Sequence, residues 1–237
     1  KYHGWTRELK NISDTMPSLK VVFSGSSIIE LSKQEADLSR RALMYPMPGL
    51  SFREYMQLSD IHDFPVYSLH EVLTGHNAMA TAISSKIPIL KYFKYYLKSG
   101  FDPFFLEKNR DYILTLEQII RTVIEVDFLH IEEFDSSKSR QILTLLRIIA
   151  SSAPFIPNVS KISEKTRLHR QTVLLYMQYL EKAGLIIQLN FPDKSISRLQ
   201  KPDKLFLDNP NLFYALNPEM VNTGSLRETF AVNQLKV

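Results

Sequence analysis

A short run, Leu19 to Phe23, apolar but for Lys20, ends in Ser24-Gly25-Ser26-Ser27, leads into a helix-like stretch, and is followed after Arg40 and Arg41 by a second apolar run, Ala42 to Met47. Runs this short and this rich in Val, Phe and Leu fit strands buried on both faces of a parallel sheet. Parallel neighbours need a crossover of about this length, so the spacing predicts a β-α-β unit. In open α/β sheets a ligand binds outside the carboxyl ends of the strands, which puts Ser24, Ser26 and Ser27 where a bound group would be sensed. A parallel sheet needs several strands covered on both faces, yet only a charged, helix-like segment, Trp5 to Asp14, precedes Leu19. The chain therefore reads as a fragment of a larger sheet.

Beyond the second run, Pro46, Pro48 and Gly49 break regular structure, and Ser51-Phe52-Arg53-Glu54 predicts a helix start with a capping box. From Met56 to about Phe134 the pattern is helical, punctuated by Pro65, Pro88 and Pro103. Pro88 to Leu97, with Lys98 directly after it, sets aromatics on one flank and three lysines, Lys91, Lys94 and Lys98, on another; a packed helix with solvated lysines is preferred there to a nucleic-acid stripe. Gln141 to Ala150 is an apolar helix closed by Pro154 and Pro157. Then come a short helix from Val159, a turn at Arg167 to His169, and a helix over Arg170 to Lys182 with Val173, Leu174, Met177 and Leu180 on one face, stopped by Gly184. Two β-rich runs follow, Leu185 to Leu189 and Leu205 to Leu207. Helix, turn, helix, strand, loop, strand is the order of a winged helix.

Charge leaves the partner open, because 29 basic against 25 acidic residues give only +4, which argues for a polyanion only if the cations cluster. The absence of cysteine removes disulfides, thiolate metal sites and a Cys nucleophile, and fits a cytoplasmic protein. No apolar run approaches the ~18 residues that span a membrane. The motif G-x-x-x-x-G-K-[ST] does not occur in the chain, so these residues alone do not cradle a triphosphate.

Several of these stretches resemble one family. Ser24-Gly25-Ser26-Ser27, then Leu38 to Arg41, then Leu50-Ser51-Phe52-Arg53-Glu54 are similar to the strand, helix, Leu-x-x-Arg, strand and Leu-Ser-Phe-x-Glu of prokaryotic AAA+ ATPases that carry a winged helix and a C-terminal, restriction-endonuclease-like domain of unknown function. The family has Gly before its arginine where this chain has Arg40; spacing to Leu50-Ser51-Phe52 favours Arg41 for the family role. Ser99-Gly100-Phe101-Asp102-Pro103 resembles a Gly-Gly-Phe-Pro element of the family's helical lid, and Asp127 the acid of its Ile-x-x-Asp helix. Arg170-Gln171-Thr172-Val173 resembles the family's winged helix, and Leu205 to Asp208 with Gly224 to Phe230 the opening of its last domain. The implied fold class is mixed α/β and α: the C-terminal part of a parallel-sheet core at 1–55, a helical lid at 56–135, a winged helix at 136–202 and the start of a further α/β domain at 203–237.

The resemblance implies a parent protein that binds ATP and Mg, assembles as a homo-oligomer, and moves its winged helix as lid and core close; the fragment alone, starting after the Walker B motif, is expected to be inactive. Arg41, with Arg40 as deputy, would be the arginine reaching a neighbouring subunit's nucleotide, and Ser24 with Ser26 the polar sensor of the phosphate or the attacking water. From the residues alone, a surface arginine paired with Glu35 or Asp37 and a capping serine are the simpler readings. For DNA, the winged helix offers Arg167, His169, Arg170, Gln171 and Arg198. Two other readings stand beside the ATPase: a winged-helix DNA-binding regulator, and a nuclease with its site beyond Val237, for which Glu228 would supply one acid. Asp60-Ile61-His62-Asp63 is a polar loop sooner than a metal site, and His130-Ile131-Glu132-Glu133 lacks the second histidine of a zinc motif.

Overall fold

A computed structural model describes residues 5–25, 41–43, 45–107, 111–131, 136–190 and 201–236. Ser26, Ser27, Arg40 and Arg198 lie outside them, as do Glu35, Asp37 and the helix expected between the two apolar runs. The chain is mostly helical and divides into two compact units, one of residues 1–47, 118–148 and 156–205, the other of residues 48–117, 149–155 and 206–237.

The first unit opens with α1 (Trp5–Thr15), an amphipathic helix with no fully buried residue. The Trp5 ring meets Phe23 edge-on at 5.6 Å. Leu19 to Phe23 and the described part of Ala42 to Met47 were expected as buried parallel strands, and neither is a strand: both are irregular, with Val22 97% and Met47 96% exposed. The reason is that a strand is defined by a neighbour that takes its N–H and C=O groups, and no described strand pairs with either run.

Further along this unit, the last part of α5 (Tyr112–Glu125) and α6 (Ser139–Ser152) contribute buried Ile120, Ile124, Ile142, Leu145 and Leu146. Next come α7 (Val159–Thr166), α8 (Arg170–Lys182), β1 (Ile186–Leu189) and β2 (Lys204–Leu207). Apolar side chains at helical spacing, Val173, Tyr176, Met177 and Leu180, form the buried stripe of α8, and Leu174 is half-buried at its edge. Contacts run from α7 to α8 and from α8 to β1. β1 and β2 make a two-stranded sheet, the only sheet among the described residues. At the end of α8, Gly184 takes φ 68° while its N–H donates to Glu181 O and the Leu185 N–H to Leu180 O, both at 2.9 Å. That is a Schellman stop, which wants the one residue free of a Cβ clash in the left-handed region.

In the second unit, α2 (Phe52–Leu58) and α3 (Leu69–Lys86) each start in a capping box, Ser51 with Glu54 and Ser68 with Glu71. α4 (Ile89–Ser99) turns Tyr96 and Leu97 inward and leaves Lys91, Lys94 and Lys98 exposed, as a packed helix does. Its aromatics join a ring cluster in which Phe93 meets Phe230 and Tyr55 meets Phe105 at 4.8 Å, and Tyr55 meets Tyr96 at 5.5 Å. Short 3-10 turns, α9 (Asn211–Leu216) and α10 (Thr223–Leu235) complete it, and α9 contacts α4.

One buried side chain ties this unit together. Asn211 is 0% exposed and donates through Nδ2 to the carbonyls of Tyr96 and Leu97, both at 2.9 Å. Those carbonyls belong to the last turn of α4, where no intrahelical N–H remains for some of them. Asn211 Oδ1 accepts from the Phe101 N–H at 2.9 Å and from the Tyr112 hydroxyl at 2.6 Å. Asp102, of the Ser-Gly-Phe-Asp-Pro element, joins the same network: its N–H donates to the Tyr112 hydroxyl at 3.1 Å, and its Oδ2 lies 3.1 Å from that oxygen. Burial pushes the Asp102 carboxyl above its ordinary pKa.

Candidate functional site

Arg41 stands in irregular chain between the two expected strands, and its guanidinium grips Asp14 by two parallel bonds, Nε to Oδ1 at 2.8 Å and a terminal nitrogen to Oδ2 at 3.0 Å. The arginine is thus ion-paired, as the simpler reading held, but with an acid on α1 that the sequence did not single out. Both side chains are exposed, at 28% and 50%, so solvent and salt screen the pair. The Arg41 hydrogen bonds hold the Asp14 carboxyl below the usual carboxylate pKa. The bidentate fork that Arg41 offers Asp14 is the geometry in which an arginine can also hold phosphate oxygens. Ser24 lies exposed in irregular chain.

The second candidate is the turn between α7 and α8. Arg167 caps α7 in the left-handed region, φ 57° and ψ 29°. Its N–H donates to Glu164 O at 3.4 Å, and the Leu168 N–H donates to Ser163 O at 3.2 Å. His169 caps α8, its Nδ1 accepting from the Gln171 N–H at 3.4 Å. Arg167, His169, Arg170 and Gln171 are all exposed, so four of the five residues proposed for DNA share one solvent-facing turn; Arg198 lies outside the described residues.

Other sequence candidates take ordinary places. Asp63 Oδ1 accepts from Gln57 Nε2 at 2.6 Å and the His62 ring packs edge-on to Phe64 at 4.7 Å, while Asp60 adopts φ 52°. Among the described residues no group of three His, Asp or Glu could hold a metal ion. Glu228 is exposed on α10, and Asp127 opens a 3-10 turn. No helix among the described residues is long and apolar enough to cross a membrane. Sequence reasoning missed Asp14 as the partner of Arg41 and Asn211 as the centre of the buried network. A hint of the latter existed: an asparagine directly ahead of Leu-Phe-Tyr-Ala-Leu, where a buried helix would be expected to start.

Residues 1–56, which hold Ser24, Arg41 and Asp14, match the family model described as AAA domain, a similarity that suggests an AAA-like region there. More of the chain lies in another family: the model described as Domain of unknown function (DUF8612) matches residues 89–223, over half the length, and the chain belongs to that family. A curated relative, an uncharacterized protein of Methanocaldococcus jannaschii, is 26% identical over 208 residues, which are 83% of this chain and 43% of that protein. The chain thus spans less than half of that relative. No solved structure matches the chain.

Proposed function

We propose that the chain is part of an AAA+ ATPase that couples ATP binding and hydrolysis to movement of a winged-helix module. The observation that carries this reading is that Arg41, inside the AAA-matching residues, presents a bidentate fork to the exposed Asp14 carboxylate, the geometry with which an arginine holds phosphate oxygens. In this reading Arg41 reaches the nucleotide of a neighbouring subunit in a homo-oligomer and stabilises charge on the transferring phosphoryl group, worth about 10³-fold or more in rate. Ser24 contacts the phosphate or the attacking water. ATP and Mg act in the full-length protein, where the remaining phosphate ligands are supplied by residues other than these. The element order α7, α8, β1, β2 supports the winged-helix assignment.

The test is ATP hydrolysis by the intact protein and two variants. Arg41→Ala is expected to lose about 10³-fold in turnover. Asp14→Ala, which removes the carboxylate that the guanidinium grips, is expected to keep or raise it. Unchanged turnover in Arg41→Ala, or equal losses in both variants, would mean that the pair is structural and the reading is wrong.

A further inference from the structure

We infer that the exposed turn between α7 and α8 is a docking surface for the phosphate backbone of duplex DNA, with Lys161, Lys165, Arg167 and Arg170 as its contacts. Lys161 to Arg170 holds four cations and one carboxylate, Glu164, in ten residues, whereas the whole chain has 29 cations against 25 carboxylates. This stretch thus carries a local net charge of +3. Clustered positive charge is the footprint of polyanion binding, where an even scatter is not. All four cations are exposed, and among the described residues none of them makes an ion pair. Lys161 and Lys165, four residues apart, share a face of α7.

Arg167 adds an independent argument. It closes α7 by the same pair of backbone bonds with which Gly184 closes α8, and in the same left-handed region, φ 57° against 68°. Glycine adopts that conformation freely and an L side chain does so at a cost. Among the described residues the Arg167 guanidinium makes no ion pair, which leaves it presented to solvent where a phosphate can reach it.

Geometry selects the polyanion. A helix-turn-helix sets the first turn of its second helix at the base edges of the major groove while the first helix crosses the backbone. Here that turn carries exposed Gln171 for a base edge, Arg170 at the head of the helix stands beside it for the flanking phosphate, and α7 carries the lysines. The deep, narrow major groove of duplex RNA does not admit a helix, so B-form DNA is the fit.

The inference does not depend on ATP chemistry: binding needs no nucleotide, and ATP turnover and DNA binding can fail separately. The experiment is a fluorescence anisotropy titration of the 237-residue chain with a labelled 20-base-pair mixed-sequence DNA duplex between 50 and 200 mM salt. Four phosphate contacts predict a slope of log affinity on log salt near −3.6, or about 10²-fold weaker binding across that range. Arg167→Gly is expected to reduce the slope by about 0.9 while melting at the same or a higher temperature. Lys165→Glu is expected to weaken binding further. No binding at 50 mM salt, salt-independent binding, an Arg167→Gly variant that binds like the parent, or equal affinity for an RNA duplex or single-stranded DNA would each overturn the inference. So would a lower melting temperature in Arg167→Gly, because the arginine would then be serving the fold.

Discussion

Asn211→Ala is the substitution from which most can be worked out. The side chain is wholly buried and makes four bonds, so the cost is decided by which partners can find others. The Tyr96 carbonyl keeps the Gly100 N–H at 3.0 Å, and the Tyr112 hydroxyl keeps Asp102 at 3.1 Å. The Phe101 N–H and the Leu97 carbonyl lose the Asn211 amide and gain nothing in exchange. Two orphaned buried groups at about 1 to 3 kcal/mol each give a loss of about 2 to 6 kcal/mol. Against a typical folding stability of about 5 to 15 kcal/mol this is a large fraction. Urea denaturation of the 237-residue chain, followed by circular dichroism and tyrosine fluorescence, measures it. A loss below about 1 kcal/mol would show that water or a shifted backbone serves those groups, and the reasoning that makes Asn211 the keystone of the second unit would fail.

Other expectations concern single features. The Tyr112 hydroxyl has one proton and two acceptors beside it, Asn211 Oδ1 at 2.6 Å and Asp102 Oδ2 at 3.1 Å, a conflict that a proton on Asp102 removes. With its folded pKa raised, Asp102 favours the folded state at pH below its unfolded value, and that contribution is lost as pH rises through the folded pKa. Asp102→Asn should therefore flatten the fall of stability with rising pH, seen in denaturation midpoints across that window; an unchanged slope would assign the fall to other groups. Gly184→Ala places a Cβ at φ 68° with nothing within 4 Å, so only the backbone term of about 1 to 2 kcal/mol should appear. Gly100→Ala, by contrast, drives a Cβ to 2.7 Å from the Tyr96 Cα and should cost more than Gly184→Ala in the same thermal melts. Ser51→Ala removes the oxygen that accepts from the Glu54 N–H and should cost about 1 kcal/mol by urea titration.

What could be read from the sequence was whatever a few neighbouring residues decide. Ser51 with Glu54, the stripe Val173, Met177 and Leu180, and the stop at Gly184 are each set within a turn or two of chain, and each is where the pattern put it. Asp14 and Arg41 are 27 residues apart, and Asn211 and Phe101 are 110 apart, so their pairing follows from packing that no local pattern encodes. Leu19 to Phe23 shows the opposite limit. Apolar β-branched residues state what a stretch could bury, while a strand also needs a neighbour, which local sequence does not specify. The exposed turn at Arg167 was legible as a cluster of residue types; that its arginine sits where glycine is favoured required the backbone angles.

The central claim, that Arg41 acts on the phosphoryl group in hydrolysis, is tested most directly by measuring ATP affinity and single-turnover hydrolysis together in the intact protein and in Arg41→Ala. A group that works in the transition state should leave affinity nearly unchanged and lower the hydrolytic rate by about 10³-fold. An unaltered rate, or a rate lost only in proportion to lost affinity, would contradict the account.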